Sequence, residues 1–472
     1  MKLGGYGEYR DSGRAWLEMM PSHWNILRGK GVFSAIDIRS KTGKEELLTV
    51  SSSDGVIPRS QKSVTMFMAK SYVGHKLCWP GDLVVNSLWA WMQGLGVARH
   101  HGLISSAYSV YRPRSEFKEY ARFFHYLLRS AAYKWELQSR SKGVWLSRLQ
   151  LSDLAFMDMP ILLPPPDEQT AIVRFLDNAN RRLDKAIRAK RKLIALLNEQ
   201  KQAIIHRAVT RGLDPDVPLK DSGIFSIGKI PKHWTISRLK FEASHIVDCL
   251  HSTPNYSVDG EFPAIRTADV QPGKLRLAQA RKVSKKQFDL WTSRLAPQED
   301  DILYSREGER YGMAALVPCR TQLCISQRMM VFRIKPTQCS DYIMWQLNCP
   351  HVYAQASTDI IGSTSPHVNV EKIKNFELII PPLSEQRRIS AWIHAQLEDI
   401  DGVATRNERE ISLLREYKTR LIADVVTGKL DVREAARHLP EDSDELEEVE
   451  AVDEAELDLD ADLSAEPSIG EA

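Results

Sequence analysis

The 472-residue chain contains no apolar run approaching the roughly 18 residues that cross a bilayer. Its first 25 residues are polar and lack the apolar stretch of a secretory leader. A cytoplasmic protein is therefore expected. Cysteine is sparse and scattered, at Cys78, Cys249, Cys319, Cys324, Cys339 and Cys349. That pattern excludes a disulfide framework and fits reduced thiols. Cys319 and Cys324 have no matching second pair, so no metal site is expected from them. Enzymatic signatures are missing too. There is no Asn-Pro-Pro-Tyr/Phe loop of an amino-methyltransferase and no glycine-rich cofactor loop between a strand and a helix. Gly223–Lys229 imitates a phosphate loop, but Ile230 stands where Ser or Thr is required. Pro166-Asp167-Glu168 imitates part of a nuclease motif and reads better as a helix start. No intrinsic catalysis and no cofactor are expected.

What is present is an ordinary globular composition, 43% hydrophobic and 26% charged, in a length that suits two to four domains. The formal net charge of +3 conceals two opposed parts. Residues 440–472 hold 15 acidic residues and no Lys or Arg, which leaves a body of formal charge +18. Such a body suits a polyanion better than a small neutral substrate. The acidic tail reads as disordered and solubilising.

The chain is internally repeated. DSGRAWLEMMPSHW at 11–24 returns as DSGIFSIGKIPKHW at 221–234, an ungapped offset of 210. LPPPDEQTAIVRFLD from Leu163 returns as IPPLSEQRRISAWIH from Ile380, and AVTRGLD at 208–214 returns as VVTGKLD at 425–431, both at an offset of 217. Two copies of one unit thus carry inner segments that differ in sequence and by seven residues in length. Similar flanks around a dissimilar middle suggest a scaffold with an interchangeable reading surface.

Each inner segment reads as mixed α/β. Leu47–Ser51, Gly81–Val85, Asp301–Tyr304 and Met330–Ile334 are expected strands, with Asp54-Gly55 as the turn between the first two. Asp167 and Ser384 are expected N-caps of long helices. Residues 168–209 lack Pro and Gly, and 385–427 contain only Gly402. An unbroken helix of that length would run on the order of 60 Å. Ile172, Ala179, Ala186 and Leu193 share one heptad position; Leu176, Leu183, Leu197 and Ile204 share the other. Lys190 and Gln200 interrupt the seam. The second helix keeps the register through Ile389, Val403, Ile393, Ile400, Leu414 and Leu421. The two helices should pair antiparallel, as a spacer rod for two globular domains.

At this point the residues carry a family likeness. The duplicated DSG…P-x-H-W entrance, the PP-x-x-EQ helix start at 164–169 and 381–386, and helices closing near Thr210 and Thr427 resemble the specificity subunit of type I restriction-modification systems. Gly81-Asp82-Leu83 and Asp300–Leu303 with Ser305-Arg306 look like its strand-to-loop element; Gly102–Tyr108 and Ile325–Arg328 look like a second one. The resemblance covers about 1–431 and implies an α+β chain in five parts. These are a target-recognition domain at 1–163, a helical spacer at 164–214, a second recognition domain at 215–380, a second spacer at 381–431 and the tail at 432–472. It further implies double-stranded DNA as ligand, modification subunits docked on the helices with S-adenosylmethionine in the partner methyltransferase, and a restriction subunit joining through them. A scaffold that binds only proteins is the competing reading.

Base edges are read by side chains that present paired donors and acceptors. Expected readers are Asn86, Gln93, Ser105, Arg112 and Arg148 in the first domain, with Trp89 and Tyr108 leaning to the core. In the second they are Arg266, Arg306, Arg310, Gln327, Arg328 and His367. Arg306 and Arg328 match the family pattern best. Lys62, Arg114, Lys118 and Lys142 read as phosphate contacts, which position without specifying. Two unlike readers on one rod imply a split, asymmetric target, its halves about 34 Å, one helical turn, apart.

Overall fold

In a computed structural model, residues 3–440 are described except 15, 62–68, 70, 144–148, 225–226, 309 and 358–367. The acidic tail expectation lies outside them. The chain divides into two compact units, residues 1–189 with 410–472, and residues 190–409. Among the described residues no helix is long and apolar enough to cross a membrane, and the six cysteines are free thiols.

The first unit opens with a hairpin, Tyr9–Arg14 against Leu17–Pro21. Asp-Ser-Gly makes its tip. Asp11 Oδ1 accepts from Gly13 N at 2.8 Å, and Ser12 Oγ accepts from Arg14 N at 3.1 Å. These short side chains hydrogen-bond the backbone ahead of them, which is why this tripeptide turns. The chain then enters a strand, Asn25–Arg28, that pairs antiparallel with Pro160–Leu163, the last strand before the long helix. Between those two lies a four-stranded antiparallel sheet in the order Phe33–Ile36, Ser109–Pro113, Leu83–Val85, Leu95–Val97. Helices Ala121–Leu128 and Ala131–Arg140 complete the unit. Its core gathers Trp24, Phe33, Phe123, Phe124 and Phe156 with Leu421, Val425 and Val426 from the end of the second long helix.

The second unit repeats the plan. Leu219–Asp221 pairs with Lys229–Pro231, and Asp221 and Ser222 make the same tip bonds to Gly223 and Ile224. Thr235–Arg238 pairs antiparallel with Glu377–Ile380. The sheet runs Ala243–Asp248, Met329–Ile334, Ile302–Ser305, Ala314–Leu316, the same order and all antiparallel. The units differ around it. The second adds a three-stranded sheet of Arg281–Val283, Phe262–Ile265 and Cys324–Ile325. In the first that place is taken by the hairpin Leu48–Ser51 with Gly55–Pro58 and the pair Lys76–Cys78 with Gly102–Ile104. Asp54-Gly55 therefore turns 48–51 into 55–58, not into Leu83–Val85 as the sequence suggested.

The long helices are Pro166–Arg211 and Leu383–Val426. Each leaves one unit and ends in the other, and in each unit the two segments run in opposite directions. In the first unit Ile172 and Leu176 share a core with Leu421 and Val425, and Lys418 Nζ donates to Asp184 at 2.7 Å. In the second Ile205, Ala208 and Val209 share a core with Ile389, Ile393, Leu397 and Ile400. Lys190, an interruption in the seam, donates to Asn407 Oδ1 at 3.2 Å, so the polar position is answered across it. The expected heptad drifts. Leu193 is 40% exposed, while Ile187 and Ile205 are buried in place of Ala186 and Ile204. A helix of 3.6 residues per turn moves about 20° per heptad against a 3.5 repeat. Asp167 and Ser384 lie inside the first turn rather than at N-caps. Helical bonding already starts from the Pro165 and Pro382 carbonyls, which accept from Gln169 N and Gln386 N.

The repeated entrance and the repeated helix start meet. Glu168 Oε1 lies 2.7 Å from His23 Nε2, and its Oε2 accepts from buried Trp24 Nε1 at 2.8 Å. Arg433 Nη1 adds a third contact at 3.3 Å. In the second unit Glu385 Oε2 holds His233 Nε2 at 2.9 Å and Trp234 Nε1 at 3.1 Å. A glycine at positive φ closes each helix against the same tryptophan. A Cβ on Gly212 would sit 3.1 Å from Trp234, and one on Gly428 would sit 2.5 Å from Pro21 and 3.1 Å from Trp24. Each clasp joins the start of one long helix, the end of the other and the entrance strand.

Candidate nucleic-acid interface

The central strand of each sheet begins at a buried aspartate that fixes the loops beyond it. Asp82 accepts from Trp79 N at 2.9 Å and takes both Nε and Nη2 of Arg112, at 2.7 and 2.8 Å. Asp301 accepts from Gln298 N at 2.9 Å and takes Nε and Nη2 of Arg333, at 2.9 and 2.7 Å. Hydrogen bonding to these carboxylates raises both guanidinium pKa values above their ordinary range. Arg112 also lies over the Trp79 ring at 5.2 Å. Two of its three nitrogens are spent on Asp82, and its place on the strand matches that of Arg333.

In the second unit four loops meet at one sheet edge. Arg306 N donates to Arg328 O at 3.0 Å, Ser326 N to Ile265 O at 2.8 Å, and Thr253 Oγ1 to Gln327 Oε1 at 2.8 Å. Arg306 lies inside this junction, 4% exposed, with Asp248 3.3 Å away and Glu307 paired to it. Its guanidinium holds the loops together and does not face solvent. Arg328 does: its side chain is 50% exposed, with Glu307 3.8 Å away. It sits at φ +69°, a region that non-glycine residues seldom adopt and that clusters at functional sites. Arg266 is gripped by Asp269 through two bonds of 2.9 Å. Arg310 donates one bond to Ala268 O at 3.3 Å. His367 lies outside the described residues.

In the first unit the matching loop follows Leu83–Val85. Asn86 is buried and donates to Tyr108 Oη at 3.2 Å; Ser87 donates to Ala107 O at 2.9 Å. Burial raises the Tyr108 pKa. Gln93, at φ +60°, donates to Ser130 O at 2.8 Å. Ser105 accepts from Ala107 N at 3.3 Å in a surface turn. Trp89, read as leaning to the core, is 55% exposed and stacks on Trp91 at 6.2 Å, beside exposed Leu88 and Met92. Lys118 and Lys142 are exposed, and Arg114 is anchored by two bonds to Lys30 O. Lys62 and Arg148 lie outside the described residues.

Sequence reasoning missed the Asp82–Arg112 and Asp301–Arg333 pairs and the exposure of Trp89. The repeated aspartate before each strand was the available signal for the pairs. An arginine distant in sequence gave no sign of which carboxylate it would meet.

Residues 243–409 match the family model of the type I restriction modification DNA specificity domain. The chain is 22% identical over 306 residues to the type I restriction enzyme MjaVIII specificity subunit of Methanocaldococcus jannaschii, covering 63% of this chain and 68% of that one. It is 21% identical over 320 residues to the type I restriction enzyme EcoKI specificity subunit of Escherichia coli K12, covering 66% of each. These alignments span about two thirds of the relatives' length. A solved chain from work on complex assembly and conformational transition of the type I R-M system superposes with a TM-score of 0.59 at 17% identity, over 87% of this chain and 99% of that one.

Proposed function

We infer that the chain is a specificity subunit of the type I restriction-modification family, a DNA-reading protein without a catalytic site of its own. The observation that carries this reading is a scaffold that occurs twice, clasp for clasp and strand for strand, around two unlike sets of loops. Identical readers would suit a palindrome. Unlike readers suit a target with two different halves and an unread stretch between them.

Within the second unit, Arg328 reads a base edge, flanked by Gln327 and Arg310. Its exposed planar fork suits guanine, the commonest partner of such an arginine. Arg306, Arg266, Arg112 and Asn86 support the loops. Within the first unit, Trp89 and Gln93 face the duplex, and Lys118, Lys142 and Arg114 contact phosphates. Methyl transfer belongs to partner subunits, which bring S-adenosylmethionine. They dock on the long helices, where Leu193 and Leu196 in one unit and Leu413 and Tyr417 in the other leave apolar surface exposed.

Mapping methylated positions genome-wide, with the chain co-expressed with its modification subunit, tests the reading. The expected motif is bipartite and asymmetric. One uninterrupted motif overturns the two-reader reading. Binding that does not weaken with rising salt overturns the DNA reading itself, because phosphate contacts release counterions.

A further inference from the structure

His206 lies near the end of the first long helix, on the turn before Thr210. Cys349 and His351 lie at the corner between helices Ser340–Leu347 and Pro350–Ser357 of the same unit. Folding brings the three together. One ligand-capable atom from each falls within 4.8 Å of the others, and the two imidazole rings are 6.2 Å apart. Cys349 is wholly buried and His351 is 1% exposed. Neither ring nitrogen of His351 has a hydrogen-bond partner among the described residues, and the buried Nδ1 of His206 has none. Buried polar atoms are almost always satisfied, so three unanswered nitrogens in one place call for a ligand. Two imidazoles and a sulfur are the donors that borderline-soft divalent transition metals prefer over oxygen-seeking calcium or magnesium.

We propose that His206, Cys349 and His351 form a binding site for a zinc-class divalent transition metal. Binding replaces the thiol proton of Cys349 with a sulfur–metal bond. The proton leaves to solvent, both histidines bind as neutral imidazoles, and no electron is transferred. A solvent oxygen completes a four-coordinate shell. Burial holds His351 down to about 4 and lowers His206 as well, so both lone pairs are available at neutral pH. Only the thiolate binds a metal, so the metal must displace the Cys349 proton. The site ties the end of the long helix to the helical corner of its own unit, a clamp independent of any DNA contact.

The test is cobalt(II) titration of the full chain after dialysis against a chelator. The expected result is a single equivalent bound with a near-ultraviolet thiolate-to-cobalt band and tetrahedral visible bands, displaced by zinc. Zinc at about a hundredfold excess over Kd should raise the Tm of the affected transition by roughly 5–10 °C. Cys319→Ser, which removes an exposed thiol, should leave the band intact. Cys349→Ser should abolish it, and His351→Asn should weaken binding by more than about 100-fold, beyond the loss of an outer-shell partner. Absence of the band in the unaltered chain at saturating cobalt overturns the proposal, whatever the variants do. A band that survives Cys349→Ser overturns it equally. Neither result bears on DNA reading, which methylation mapping tests separately.

Discussion

Replacing Glu168 by Ala should damage its unit far more than Glu385→Ala damages the other, although the two residues occupy equivalent places. Glu168 accepts from Trp24, touches His23 and meets Arg433, with a side chain 4% exposed. Truncation leaves the indole N–H of a fully buried tryptophan without an acceptor, a loss of about 1–3 kcal/mol. It also breaks an ion pair whose arginine is 41% exposed and keeps Asp431, a loss of at most about 1 kcal/mol. Together the two losses come to about 3 kcal/mol. Glu385 is 23% exposed, has a histidine 47% exposed beside it and holds its indole at 3.1 Å. Its loss should cost about 1.5 kcal/mol, close to one charged hydrogen bond. Two units make a single unfolding transition an unsafe measure, so hydrogen exchange resolved by segment is the assay. Amides in 17–24 and 168–172 of Glu168→Ala should exchange about 100-fold faster, and those around 230–236 in Glu385→Ala about 10-fold faster, at about 1.4 kcal/mol per decade. Glu168→Gln, which keeps an acceptor for Trp24, should fall between Glu168→Ala and the parent. Equal effects in the two units, or a glutamine variant as damaged as alanine, would refute the reasoning.

Arg328→Ala should weaken recognition of one half-target by about 1–3 kcal/mol, roughly 5- to 150-fold, and leave the other half unchanged; binding to duplexes altered in each half checks it. Arg306→Ala should instead lower stability by about 2–4 kcal/mol, because Asp248 and Glu307 lose a buried cation, and should reduce binding to every sequence alike. His125, held down to about 3 by burial, accepts from Val97 N at 3.3 Å and stays neutral in the fold. Above pH 6.5 it contributes nothing to pH dependence. Below it the unfolded chain takes up a proton the folded chain refuses, so stability should fall by up to about 1.4 kcal/mol per pH unit toward pH 3. His125→Gln should flatten that slope in acid denaturation.

The elements that follow from local pattern were legible. Long helices and several short strands depend on neighbours a few residues away, and they appear where the local pattern placed them. The repeat made the twofold plan readable before any coordinate. What escaped depends on partners far off in the chain. Glu168 read only as part of a helix start because nothing local announces that Trp24, 144 residues earlier, will donate to it. The carboxylate partners of Arg112 and Arg306 were not legible, because an arginine's spacing does not say which distant acid it will meet. Trp89 looked buried because aromatic residues usually are, and its stacking on Trp91 at the surface has no signature in spacing. The seam slipped because a straight helix does not honour a strict seven-residue count.

The strand pairs Asn25–Arg28 with Pro160–Leu163 and Thr235–Arg238 with Glu377–Ile380 have a consequence for how such a chain can change. Chain departs and comes back on neighbouring strands, about 4.8 Å apart. Whatever is threaded between those two points begins and finishes at one doorway. Lengthening or swapping that cassette asks nothing of the frame, which is why seven extra residues coexist here with the same clasp in both units. A foreign cassette spliced in at these strands should inherit the frame, and new sequence preferences can arise by exchange rather than by redesign.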